Sequence, residues 1–122
     1  MTRQQTWAQK AFELVSVKAQ NGNLRGTEKS KYKTMCMRFP ALLQQSGLVQ
    51  ALHFLSRDDS WVPYLGDLAQ VVAVEKDALL RRARTSATID YMALSQEVAG
   101  AAQWMRRIAQ AELSNVDEEQ GD

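Results

Sequence analysis

An all-α fold is predicted: a single small bundle of about five to six helices, with the longest at the C-terminus. Three observations carry that prediction. Every periodic apolar segment steps by three and four residues, no segment alternates with the period of two that marks a strand, and glycine, proline, asparagine and aspartate fall between the periodic segments. The chain has 122 residues, enough for one modest core, and its 45% hydrophobic content is that of a globular rather than a disordered protein.

Residues 3–20 predict the first helix, because Trp7, Ala8, Ala11, Phe12, Leu14, Val15 and Ala19 trace an amphipathic stripe with Arg3, Lys10 and Lys18 off it. Asn21, Gly22, Asn23 and Gly26 then favour a turn. A second helix is expected from about Glu28 to Phe39, capped by Thr27, with Tyr32, Met35, Cys36 and Phe39 on one face. Pro40 lacks an amide hydrogen and disfavours the α conformation at Phe39, so a break or kink is expected there before helix resumes at Ala41 and ends at Gly47. Residues 48–56 predict a helix burying Leu48, Ala51, Leu52 and Leu55, and Asp59 or Ser60 is placed to cap another that starts at Trp61 and tolerates Pro63 in its first turn. Residues 75–84 give a short helix with Ala78 and Leu79 inward. The longest helix is expected from a Thr88 cap to about Leu113, with Tyr91, Leu94, Val98, Ala101, Met105 and Ile108 in one stripe. Gly100 costs that helix about 1 kcal/mol relative to alanine, so close packing against another helix is expected there. The organisation that follows is one helical domain over residues 1–114 and an acidic flexible tail over residues 115–122.

Net charge is +1, but it is unevenly placed: residues 1–57 hold nine Lys/Arg against two acids, a balance of +7, and residues 58–122 hold six against twelve, a balance of −6. Such a split fits either a solvated surface or a basic face for a polyanion. Within the basic half, Arg25, Lys29, Lys31, Lys33 and Arg38 form the candidate phosphate-facing set, with Lys18 beside them if the first helix packs alongside. Arg81, Arg82 and Arg84, and Arg106 with Arg107, rank second. Trp7, Trp61 and Trp104 lie on apolar stripes and are expected in the core.

Catalytic chemistry finds little material. His53 is the single histidine and has no cysteine or second histidine near it in sequence, so no metal site is expected. Cys36 stands alone, which excludes an internal disulfide and fits a reduced core thiol. Asp58 and Asp59 read as capping residues. There is no glycine-rich phosphate loop, no cofactor is implied, and the expectation is a chain that is not an enzyme. No signal-peptide segment and no membrane-length apolar run is present, so a cytoplasmic location without membrane contact is expected. A helix-turn-helix regulator is the obvious rival, but residues 48–56 expose only Val49, Gln50, His53 and Phe54, poor material for reading bases.

The order of several motifs adds a resemblance. Lys31-Tyr32, then Arg38-Phe39-Pro40-Ala41-Leu42, then Gly47-Leu48 with Gln50-Ala51-Leu52 and Phe54-Leu55, is similar to the small helical subunit family of the Cmr complex, the type III-B CRISPR effector. The similarity extends to Trp7-Ala8 with Ala11-Phe12, and to Tyr91 with Trp104-Met105-Arg106-Arg107-Ile108 near the end. That resemblance implies a non-catalytic subunit stacked in the inner filament of an antiviral ribonucleoprotein, beside other Cmr subunits, touching crRNA and target RNA by backbone contacts. It also implies homo-oligomerisation by stacking. The small subunit of the type III-A complex is the alternative within the same class, and a helical protein–protein adaptor without nucleic acid is the alternative outside it.

Overall fold

A computed structural model of the protein describes residues 1–118. Among these residues the secondary structure is six α-helices and one 3₁₀ turn, with no strand. The helices are α1 (Arg3–Gln20), α2 (Gly26–Ser46), α3 (Leu48–Ser56), α4 (Val62–Val71), α5 (Lys76–Thr85) and α6 (Thr88–Glu112), and the 3₁₀ turn spans Asp59–Trp61. The all-α bundle with its longest helix last is therefore what the periodicity predicted.

Local chemistry explains most boundaries. Thr2 and Gln5 close α1 reciprocally: the Gln5 amide donates to Thr2 Oγ1 at 3.1 Å and the Thr2 amide to Gln5 Oε1 at 2.7 Å, so two otherwise orphaned donors are satisfied. The start of α2 lies at Gly26, ahead of the expected Thr27 cap, because Glu28 reaches back to Arg25, accepting from its amide at 3.4 Å and its Nε at 3.0 Å. Asp58 caps the 3₁₀ turn by accepting from the Ser60 amide at 2.9 Å and hydroxyl at 2.8 Å. At α6 the expected Thr88 cap is instead the first helical residue, and the capping position is Ala87.

Helix α2 runs through Pro40 without interruption, so of the break or kink expected there the break does not occur. Proline in a helix interior costs about 3 kcal/mol in lost hydrogen bonding and steric conflict. Here Phe39 and Pro40 are both buried, and Phe39 packs on Tyr64 with ring centroids 5.5 Å apart, so tertiary packing offsets the local cost. The helix ends only at Gly47, whose φ of +83° and ψ of 166° belong to a region nearly reserved for glycine. That residue closes α2 by donating to Leu43 O at 2.9 Å and opens α3 by accepting from the Ala51 amide at 3.0 Å.

Three long helices frame the bundle. Tyr91, near the start of α6, approaches Gly47 at the end of α2, and Ser30, near the start of α2, donates to Asp117 O at 2.6 Å just past α6, so α2 and α6 are antiparallel. The short loop after α1 and the reach of Lys29 to Ala19 O set the end of α1 beside the start of α2, which lies at the end of α6, so α1 runs parallel to α6. Their contact is close: a Cβ at Gly100 would lie 2.3 Å from Trp7 Cζ3, so the indole rests directly on the glycine. Helices α3, α4 and α5 complete the core from the other side. Helix α3 has nine residues, too few to be stable alone, and is held by fully buried Leu48, Leu52 and Leu55, each contributing about 1.5–3 kcal/mol. Leu113 is also fully buried and Val116 packs partly against the core, while residues 119–122, the end of the expected acidic tail, lie outside the described residues.

Candidate nucleic-acid interface

The six sequence-predicted basic residues do not form one patch. An α-helix turns about 100° per residue, so Lys29 and Lys33 share one flank of α2, while Lys31 and Arg38, seven residues apart, share the other. Contacts agree with this division. Lys29 Nζ donates to Ala19 O at 3.0 Å and so satisfies a carbonyl in the last turn of α1. Lys33 Nζ donates to Val116 O at 2.7 Å and holds the segment after α6. On the other flank, Lys31 Nζ lies 5.3 Å from the centre of the Trp61 ring, and Arg38 is exposed without an ion pair among the described residues. Arg25 is exposed at the head of the helix and paired with Glu28 at 3.0 Å, which holds the Glu28 carboxyl below its ordinary range.

Lys18 belongs to a buried polar cluster. Its Nζ lies 2.9 Å from Asp67 Oδ2 and 5.4 Å from the Tyr32 ring centre, and the Tyr32 hydroxyl donates to the same carboxylate oxygen at 2.7 Å. The cluster ties α1, α2 and α4 together inside the bundle. Burial pushes the Tyr32 and Tyr64 hydroxyls and the Cys36 thiol well above their ordinary values, with the nearby charge acting in the same direction on the tyrosines, so all three stay protonated. Cys36 is fully buried and has no partner cysteine, as a core thiol would be. Among the described residues no group of three metal-ligating side chains converges, and no helix is long and apolar enough to cross a membrane.

The CRISPR-associated protein (Cas_Cmr5) family model matches residues 3–112. The chain belongs to the Cmr5 family. It is 41% identical over 113 residues to the CRISPR system Cmr subunit Cmr5 of Thermus thermophilus, a match that covers 90% of this chain and 95% of that one. Its fold matches the crystal structure of a CRISPR-associated Cmr5 family protein, also from Thermus thermophilus, with a TM-score of 0.83 at 35% identity, covering 93% of this chain and 98% of that one. The resemblance read from the motifs is thus confirmed at the level of family.

In this Cmr5-family chain three features escaped sequence reasoning. Asp67 sits on the inward face of α4 among Leu65, Leu68 and Ala69, where a carboxylate is costly unless paired; its position on that apolar stripe was the available signal. Trp61 was expected in the core but is only partly buried, because it ends the 3₁₀ turn instead of opening a helix. There it stacks with the exposed Phe54, ring centroids 6.3 Å apart and planes 25° apart. Trp104 is also only partly buried, donating from Nε1 to Gln4 at 2.6 Å with Arg107 over its ring at 5.1 Å, whereas Trp7 is buried as expected.

Proposed function

We propose that the chain is the small, non-catalytic subunit of a Cmr-type RNA-guided effector, stacking with copies of itself beside larger Cmr subunits in the cytoplasm. The observation that carries this reading is family membership across residues 3–112, supported by a relative named as a Cmr subunit that matches over nearly its whole length. On this reading, crRNA and target RNA run along the flank of α2 that carries Lys31 and the exposed Arg38, with Arg25, paired to Glu28, at its head, and are held through their phosphates. Lys18, Lys29 and Lys33 keep their amino groups on protein oxygens and add positive potential from behind. The opposite charge balances of the two halves favour head-to-tail contact between copies, the heterologous arrangement a filament needs.

The test is reconstitution. Co-expressed with the other subunits, the chain is expected to co-purify with them and with crRNA; recovery of the other subunits as a complete complex without it would refute the reading. Replacing Arg25, Lys31 and Arg38 by alanine is expected to weaken target binding by the complex and to lower the slope of log affinity against log salt by roughly 0.7–0.9 per lost phosphate contact. The triple substitution Arg81→Ala, Arg82→Ala, Arg84→Ala on α5 serves as the comparison. If only the α5 set alters the slope, RNA lies on the other face.

A further inference from the structure

The segment after α6 does not leave the bundle but turns back along α2. Leu113 is fully buried, and Val116 packs partly on the core with its amide bonded to Leu113 O at 3.0 Å. Two α2 side chains hold the carbonyls that follow: Lys33 Nζ donates to Val116 O at 2.7 Å and Ser30 Oγ to Asp117 O at 2.6 Å. Val116 thus lies at Lys33 and Asp117 at Ser30. The chain therefore advances toward the start of α2, where Lys29 shares the flank with Lys33 and Arg25 stands at the head. The side chains it carries there are acidic: Asp117 and Glu118, both exposed, followed in sequence by Glu119 and Asp122. The start of a helix is its positive end, so the helix dipole as well as the lysines favours carboxylates beside it.

We propose that residues 114–118 are an autoinhibitory strap, an acidic competitor built into the chain that shields the head of α2 from RNA phosphates and is displaced when RNA binds there. The proposal rests on the reading of the chain as an RNA-contacting subunit and adds a regulation to that contact. A segment that only completed the core would need Leu113 and Val116 but no carboxylates. Carboxylates beside Lys29 and Lys33 lower the local positive potential, and Val116 O occupies the Lys33 ammonium. A phosphate must then compete for that lysine against a partner in the same chain, which is present at high effective concentration. Exposed charge contacts are individually weak and screened by salt, so the strap holds without locking. The isolated chain therefore resists indiscriminate RNA binding, while RNA presented to α2 within an assembly lifts the strap and gains Lys33.

The test titrates a fluorescein-labelled single-stranded oligouridylate with the full chain and follows its anisotropy at several salt concentrations. Asp117→Asn with Glu118→Gln is expected to tighten binding by about two- to ten-fold at low salt, the worth of two exposed charge contacts. A chain ending at Asn115 also releases Lys33 and is expected to steepen the slope of log affinity against log salt by roughly 0.7, one further phosphate contact. Asp90→Asn with Glu97→Gln removes the same charge from the first half of α6, toward the other end of α2, and is expected to leave binding unchanged. In the wild-type chain the oligonucleotide is expected to speed hydrogen exchange at the Val116 amide as the strap lifts. Circular dichroism checks that each variant remains helical. Equal affinity in the wild-type chain and the Asp117→Asn, Glu118→Gln chain overturns the strap. So does an equal gain from the α6 pair, because net charge alone would then explain it, and so does exchange at Val116 that RNA leaves unchanged or slows. Failure of the underlying reading has a separate signature: the wild-type chain would not co-purify with Cmr subunits and crRNA, whatever the tail variants do.

Discussion

Two helical glycines should respond oppositely to the same substitution. A Cβ added at Gly100 would meet Trp7 Cζ3 at 2.3 Å, Cε3 at 2.9 Å and Cη2 at 3.0 Å, whereas one at Gly66 meets nothing nearer than Lys76 Cδ at 4.0 Å. Carbon atoms rest at about 3.5–4.0 Å, so at Gly100 the indole must retreat by roughly an ångström or α1 must separate from α6. Trp7 is a rigid ring only 7% exposed and has little room to retreat. Replacing glycine by alanine in a helix interior gains about 1 kcal/mol, and overpacking costs about 1–3 kcal/mol. Gly66→Ala is therefore expected to stabilise by about 1 kcal/mol; at Gly100 the rigid, buried indole puts the overpacking cost near the upper end of its range, about 2–3 kcal/mol, so a net destabilisation of about 1–2 kcal/mol is expected. For a chain of this size the corresponding shifts in Tm are about 4 °C up and about 4–8 °C down. Urea denaturation followed by circular dichroism gives both free energies. Combining Gly100→Ala with Trp7→Leu should recover part of the loss, since the two residues share one contact. A Gly100→Ala protein as stable as Gly66→Ala would show that the indole does not rest on this glycine.

Other perturbations follow from the same structure. Ala73 has φ +58° at the end of α4, where Val74 N donates to Ala69 O at 3.0 Å and Ala73 N to Gln70 O at 3.1 Å, the bonding of a left-handed helix cap; Ala73→Gly should raise stability by about 0.5–1 kcal/mol in urea melts. Asp67→Ala removes the partner of a lysine whose side chain is 21% exposed, and a loss of about 2–3 kcal/mol is expected, with Lys18→Met plus Asp67→Leu recovering much of it; equal losses in the single and double variants would count against a buried pair. The protonated Cys36, Tyr32 and Tyr64 stabilise the fold below the ordinary thiol and phenol values of 9.0 and 10.0. As pH rises past those values the unfolded chain ionises and the folded one does not, so stability should fall through the alkaline range in pH-dependent urea titrations. Cys36→Ala should shallow the first part of that decline.

What was legible in the sequence was what repeats along a helix. The stripes of α3 and α6 located their buried faces, that of α1 did so through Trp7, Ala11 and Val15 but not Phe12, which is 51% exposed, and Gly100 stood out as a cost that only close packing explains. The continuity of α2 was not legible, because the local penalty of Pro40 is visible in sequence while the Phe39–Tyr64 contact that offsets it joins residues from separate helices. The basic set was found by residue type, and Lys29, Lys31, Lys33 and Arg38 all fall within the helix expected before Pro40, whose 100° step divides them into two flanks; what was not legible is that Lys29 and Lys33 reach carbonyls of Ala19 and Val116 outside that helix. Lys18 could not be separated from the surface lysines, since its partner Asp67 is 49 residues away. Trp61 has the sequence setting of a helix start, and a single 3₁₀ turn capped by Asp58 is enough to leave it beside Phe54.

The parallel pairing of α1 with α6 bears on how the chain acquires its fold during synthesis. Gln4 and Trp104 are 100 positions apart, yet they share a hydrogen bond of 2.6 Å, and Trp7 has its seat on Gly100. Helix α1 is therefore docked by α6, the latest-made of the six described helices. Until α6 emerges, the stripe of Trp7, Ala11 and Val15 lacks part of its native cover, and closing so long a loop must precede the reward of that contact. Nascent chains stalled before α6 should expose this stripe to chaperones or to one another, and release of the last helix should end that exposure in one cooperative step.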